Sequence, residues 1–107
     1  MKTKAVSSTL TLDELLQEMH SLEEDLASYE RKYGVLSETF YESYLSGEEP
    51  GNDAWLLDWT RWAGTYSIWL RRREQYANAI KAFRSRGASL SEIIRQGIRY
   101  ESLSVSA

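Results

Sequence analysis

All four tryptophans of this chain fall between positions 55 and 69, in the segment WLLDWTRWAGTYSIW. From there onward large side chains recur at alternating spacings of four and three residues, at Trp55, Trp59, Trp62, Tyr66, Trp69, Arg73, Tyr76, Ile80 and Phe83. At about 100° per residue these positions share one face of a helix, whereas a strand would alternate every second residue. The pattern predicts one long helix over residues 53–86, unless it breaks near Gly64, which falls on the opposite face.

A second amphipathic pattern precedes this one. Residues 11–14, TLDE, form a capping box in which Thr11 and Glu14 satisfy the first amides of a helix. Apolar residues then recur at three-four spacing as far as Tyr33, and Gly34 follows as a left-handed stop. These signals predict an N-terminal helix of about six turns.

Two shorter helices are predicted beside the long one. The first starts with Ser37 as its cap and ends at Gly47, where the loop GEEPGND leads to a cap at Asn52 or Asp53. The second follows a capping box at Ser89 and Glu92, after the stop at Gly87. No segment reads as a convincing strand. The predicted fold is therefore all-α, a long amphipathic helix packed on an N-terminal helix with two short helices. We expect one helical domain over residues 11–100, between flexible termini at 1–10 and 101–107.

Acidic and basic residues are separated along the chain. Positions 12–58 hold thirteen acidic residues and two basic ones, whereas positions 59–107 hold nine basic residues and three acidic ones. Either the two halves attract each other, or each meets an external partner of opposite charge.

Chemistry-bearing motifs are scarce. The chain has no cysteine and one histidine, His20, too few for a usual zinc or iron site. No glycine-rich loop follows a strand, and no serine has a histidine placed to activate it. We therefore expect no enzyme, cofactor or metal. Without a secretory signal or an apolar run of about 18 residues, the sequence predicts a soluble, cytoplasmic protein with no membrane partner.

The length of the aromatic face points to a partner. A helix over residues 53–86 would run roughly 50 Å, whereas the first helix and a compact globule of this size each span roughly 33 Å. The uncovered end would need the last short helix, a second copy of the chain or a foreign protein. The candidate partner-binding residues are Tyr66, Trp69, Tyr76, Ile80 and Phe83.

Basic residues cluster in the second half of the chain. They make either a solvated helix surface or a surface that contacts phosphates. The candidate nucleic-acid-binding residues are Arg71, Arg72, Arg73, Arg84 and Arg86.

Residues 22–76 resemble small helical prokaryotic antitoxins of type II toxin–antitoxin pairs, which are encoded beside a small toxin. That family's pattern reads roughly Y-E-x-K-Y-G-x-S-S-E-x-F, then G-E-L, two or three acids and an aromatic-rich helix. The resemblance rests on Tyr29, Glu30, Lys32, Tyr33, Gly34, Ser37, Glu38, Phe40, Gly47, Glu48, Asp53, Trp59 and Ala63. Leu36 and the Glu49-Pro50 pair depart from the pattern.

Residues 73–98 are similar to the two helices of ribbon-helix-helix repressors, in which G-x-S-x-S-E-[IL]-I-R opens the second helix. In that family a preceding strand enters the major groove of operator DNA. Here residues 66–72 would have to form the strand, although their spacing predicts a helix.

The leading functional hypothesis is an antitoxin-like protein that binds and neutralises a cognate toxin by helix-in-groove contact. Acidic residues of the first half would steer a basic toxin. Two alternatives remain open: a DNA-binding autorepressor that uses the basic C-terminal half to contact operator DNA, and a homo-oligomeric helical interaction module, such as a homodimer, without a toxin partner.

Overall fold

A computed structural model of the chain describes residues 9–99 and 105–106. Four α-helices lie in this part of the chain: α1 (Leu12–Tyr33), α2 (Ser37–Leu45), α3 (Leu56–Ser85) and α4 (Leu90–Arg99). A 3-10 turn at Asp53–Trp55 leads into α3. The predicted all-α fold, with a long helix packed on the N-terminal helix, is confirmed. None of these helices is long and apolar enough to cross a membrane.

Two very short strands, β1 (Thr9–Leu10) and β2 (Val105–Ser106), pair in antiparallel register. The sequence does not predict them, because two residues are too few to show an alternating pattern. They lie within the termini that the sequence predicts to be flexible. The rest of those two segments falls outside the described residues.

Helix α1 begins and ends as the sequence predicts. The Thr11 amide donates to Glu14 Oε1 at 3.1 Å, and the Glu14 amide donates to Thr11 Oγ1 at 3.0 Å. This reciprocal pair is the capping box. Gly34 then takes a φ of 77°, a left-handed conformation that glycine adopts without steric cost, and the helix stops.

Helix α2 begins differently from the prediction. Ser37 is not its cap, because Leu36 occupies the extended cap position and Ser37 is the first helical residue. The acceptor at this helix start is the Glu30 carboxylate, which receives the Ser37 amide at 2.9 Å. The predicted cap is wrong because the Glu30 carboxylate of α1, seven residues earlier in the sequence, accepts the backbone hydrogen bond at this helix start. The sequence assigns that role to the Ser37 hydroxyl.

Helix α3 is continuous for 30 residues and is not interrupted at Gly64. Asn52 Oδ1 accepts the Ala54 amide at 2.9 Å, which confirms Asn52 as the cap before it. Gly87 closes the helix with a φ of 83°. Ser89 Oγ accepts the Glu92 amide at 3.2 Å and so starts α4 as predicted.

The chain divides into two compact units. The central unit is His20–Leu70, and its core contains Leu26, Phe40, Trp62 and Ala63, with seven half-buried tyrosines and tryptophans packed against them. The terminal unit comprises Met1–Met19 and Arg71–Ala107. The buried apolar residues described in it are Leu12, Leu15, Met19, Phe83 and Ile93. Helices α1 and α3 contribute residues to both units.

Candidate functional site

Trp62 forms the centre of an aromatic platform in the central unit. It is 1% exposed, and its ring lies parallel to Phe40 with centroids 4.0 Å apart and an angle of 2° between the planes. Tyr29 and Tyr33 of α1 stack on the same indole at 5.6 and 5.5 Å. Helices α1, α2 and α3 are therefore joined through one ring, which fixes the positions of the side chains around it.

A chain of hydrogen bonds leaves this platform. Trp62 Nε1 donates to Ser37 Oγ at 2.8 Å, and Ser37 Oγ donates to Glu30 Oε2 at 2.8 Å. Together with the Ser37 amide, these bonds hold the Glu30 carboxylate in one orientation. A carboxylate that accepts charge-assisted hydrogen bonds remains an acceptor at its other lone pairs. Glu30 is thus a positioned negative group at the edge of the core.

A second aromatic pair stands beside this carboxylate. Tyr66 and Trp69 stack at 5.8 Å with an angle of 13° between their planes, and Tyr41 meets Tyr66 edge-on at 5.0 Å. Trp69 Nε1 donates to Glu23 Oε2 at 2.9 Å. The indole thereby orients a second carboxylate next to its own ring.

These side chains line a groove of about 250 Å³ that is open to solvent. Its lining combines apolar and aromatic side chains with carboxylates. The lining residues are Glu23, Leu26, Glu30, Leu36, Ser37, Glu38, Tyr66 and Trp69. We call this site the acidic aromatic groove. Its surroundings reinforce its charge, because the central unit carries ten acidic and three basic residues, a net charge of −7 with His20 neutral.

A separate polar cluster ties α1 to α3 elsewhere in the central unit. Asp58 Oδ2 accepts hydrogen bonds from Lys32 Nζ and from Tyr33 OH, each at 2.7 Å. The bond from Lys32, followed by that from Tyr33, lowers the pKa of the Asp58 carboxyl below its ordinary value of 3.8. The same contact with Asp58 raises the pKa of Lys32, whereas burial is the main cause of the raised pKa of Tyr33.

Replacing Asp58 with asparagine is expected to lower the melting temperature at pH 7 and to matter less in acid. Because the folded state lowers the pKa of this carboxyl, its stabilising effect is present above pH 3.8 and is lost as the pH falls through the folded-state value. Thermal unfolding of the wild type and Asp58→Asn from pH 7 to pH 3 measures this. Glu42→Gln, which removes the same charge from an exposed position, is the control. A difference that stays constant down to pH 3 contradicts the prediction.

The structure brings only part of the predicted partner-binding set to one place. Tyr66 and Trp69 both line the acidic aromatic groove. Tyr76 and Ile80 are half-buried in the terminal unit. Phe83 is 7% exposed and is one of the buried apolar residues of the terminal unit, so its ring is covered within the chain, rather than left for a second copy or a foreign protein to cover.

The predicted nucleic-acid-binding residues differ in accessibility. Arg71, Arg73, Arg84 and Arg86 are exposed. Arg72 instead places its Nε 2.7 Å from Glu18 Oε1 as an ion pair and donates from Nη1 to Gln75 Oε1 at 2.9 Å. Residues 66–72 are helical, so they do not form the strand that a ribbon-helix-helix repressor would insert into DNA. The DNA-binding hypothesis stays a prediction.

Six residues of the groove are absent from the predicted site: Glu23, Leu26, Glu30, Leu36, Ser37 and Glu38. A signal for some of them exists in the sequence. Glu23, Leu26 and Glu30 are spaced by three and four residues, so they share one face of α1. Which helix that face meets depends on the tertiary fold and cannot be obtained from spacing.

No protein-family model, curated protein or solved structure matches this chain. Within residues 9–99 and 105–106, no group of three or more histidine, aspartate or glutamate side chains could hold a metal ion.

Proposed function

We propose that this protein is an antitoxin-like interaction protein that binds and neutralises a toxin through the acidic aromatic groove. The observation that carries the proposal is the combination of the stacked Tyr66–Trp69 pair with oriented carboxylates at Glu23 and Glu30. Half-buried aromatic side chains supply contact area at low entropic cost, and flanking carboxylates select a basic partner.

The size of the groove favours a protein partner over a metabolite. Sites that enclose small molecules usually occupy about 300–1,000 Å³. The groove measures about 250 Å³ and is open to solvent, so it accommodates a protruding side chain better than a whole ligand. A side chain of this kind is presented by another protein.

The antitoxin assignment is supported by where the motif residues lie. Glu30, Ser37 and Glu38 belong to the segment that resembles prokaryotic antitoxins, and all three line the groove. Tyr29 and Phe40 of the same segment stack on Trp62, whose indole N–H donates to Ser37 Oγ. These five motif residues thus line the groove or pack on a ring that is hydrogen-bonded to its lining. In this arrangement a segment of the toxin enters a groove of the antitoxin, the reverse of the docking that the sequence predicts.

Co-expression with the protein encoded by the adjacent open reading frame tests this function. If that protein arrests growth, the present chain is expected to restore growth and to co-purify with it. The double variant Glu23→Gln, Glu38→Gln is expected to weaken the complex by about tenfold or more, since it removes two charges that contact the partner. The control Glu24→Gln, Glu42→Gln removes equal charge from exposed positions on the same two helices outside the groove. Separate elution of the two proteins, without rescue of growth, contradicts the proposal.

A further inference from the structure

We propose that the acidic aromatic groove is a receptor for one arginine side chain of the partner. The guanidinium would contact the Tyr66 and Trp69 rings and form ion pairs with the carboxylates of the lining. This inference rests on the proposed function for the identity of the protein that carries the arginine. The charge and the aromatic rings of the groove determine which type of side chain it binds.

The charge of the groove selects a cation. Glu23, Glu30 and Glu38 contribute three carboxylates to a single lining, and the central unit around them has a net charge of −7. An anionic or neutral side chain entering the groove would lose hydration without gaining an opposite charge. Lysine and arginine are the two cations that a protein partner presents at neutral pH.

The aromatic wall selects arginine over lysine. Tyr66 and Trp69 both line the groove, and aromatic rings attract a planar guanidinium. Glu23 is held by the Trp69 indole, and Glu30 is held by Ser37, so both acceptors are oriented before binding. The five donors of a guanidinium can meet several fixed carboxylates at once, whereas a lysine ammonium is compact and strongly hydrated.

The charge of the central unit favours a basic protein as the source of the arginine. This unit carries a net charge of −7, so it repels an acidic protein at long range. A basic protein is attracted instead, and its encounter rate falls with added salt.

Binding of a capped tripeptide, acetyl-Gly-Arg-Gly-amide, tests the inference on the full chain. The matched probes carry lysine, or the neutral isostere citrulline, in place of arginine. The side-chain N–H signals of the four tryptophans are followed by NMR, and Trp69→Phe identifies the signal of Trp69. We expect a saturable shift of that signal at low salt, with a Kd on the order of millimolar. The lysine peptide should bind roughly threefold or more weakly, and the citrulline peptide roughly tenfold or more weakly.

Charge-neutral variants show whether the shift reports the groove. Glu23→Gln, Glu38→Gln should weaken the arginine peptide by roughly tenfold, since glutamine keeps an acceptor for the Trp69 indole but removes the charge. Glu38→Gln alone leaves the contact between Trp69 and Glu23 intact, and it should weaken binding by roughly threefold. The control Glu24→Gln, Glu42→Gln should change the Kd by less than about twofold.

Three results would overturn the inference. The first is equal affinity for the arginine and lysine peptides. The second is a Kd for the arginine peptide that does not change in the Glu23→Gln, Glu38→Gln variant. The third is a dimer of this chain that dissociates in the same variant. Failure here is distinguishable from failure of the proposed function. Growth rescue without peptide binding leaves the antitoxin proposal standing and removes the arginine site. Peptide binding without growth rescue supports the arginine site and contradicts the antitoxin proposal.

Discussion

Replacing Trp62 with alanine is expected to destabilise the central unit by about 3–5 kcal/mol, the usual cost of truncating a buried aromatic side chain. The Trp62 ring is almost completely buried and stacks on Phe40, Tyr29 and Tyr33. The change leaves a cavity where three helices meet. It also removes the indole N–H that donates a hydrogen bond to Ser37 Oγ. Loss of dispersion contacts and loss of a buried hydrogen bond act in the same direction.

Tryptophan fluorescence during urea unfolding measures this change within the central unit, because all four tryptophans lie there. Trp62→Phe keeps a stacked ring and should cost less than the alanine variant. Trp55→Ala, at a position 37% exposed, is the comparison variant, and its effect should be smaller, about 1–3 kcal/mol, because that ring is only partly buried against Tyr33 and Trp59. Equal losses for Trp62→Ala and Trp55→Ala would show that Trp62 is not the centre of this core.

Local signals account for most of what the sequence predicts correctly. The capping pair of Thr11 and Glu14 and the stops at Gly34 and Gly87 depend on residues within a few positions of one another. The uninterrupted three-four spacing likewise depends only on the geometry of a helix, so the continuity of α3 follows from it. In each case the physical cause lies within one element, and the sequence displays it directly.

The groove could not be predicted in the same way, because three helices contribute to it. Ser37 shows why. Serine is a common helix cap, but here the Ser37 hydroxyl accepts a hydrogen bond from Trp62 and donates one to Glu30. Tyr66 and Trp69 were predicted as partner-binding residues from one helical face. The carboxylates that give them chemical selectivity lie on α1 and α2, at positions whose proximity only the fold determines.

Several residues on which the resemblance to antitoxins rests pack in or against the core of the central unit. Tyr29, Tyr33 and Phe40 stack on Trp62, so these motif positions are explained by the packing of the central unit. Glu38 is exposed and lines the groove, and its presence has no such explanation in packing. The substitution of Glu38 therefore tests function with less effect on the fold than any change at the stacked positions.

Replacing Phe83 with alanine is expected to destabilise the terminal unit by about 3–5 kcal/mol rather than to remove a partner contact selectively. The sequence predicts Phe83 as a partner-binding residue unless another part of the chain covers it, and its side chain is 7% exposed in the structure. Arg86 places its guanidinium 5.4 Å from the centre of the Phe83 ring, which adds a cation–π contact that alanine would lose. A loss of this size is comparable with the whole stability of a marginal unit.

Amide hydrogen exchange separates the two interpretations of Phe83, because it reports opening residue by residue. In Phe83→Ala, protection should fall in the terminal unit, including the second half of α3, where the buried ring supports the packing. Phe83→Leu keeps most of the apolar volume and should cost less than about 1.5 kcal/mol. Lys81→Ala, at an exposed position of the same helix, should stay within about 0.5 kcal/mol of the wild type. An anchor residue would show the reverse pattern, with wild-type protection in Phe83→Ala and weakened binding to the co-expressed partner protein. That result would return Phe83 to the binding surface and place a second contact outside the acidic aromatic groove.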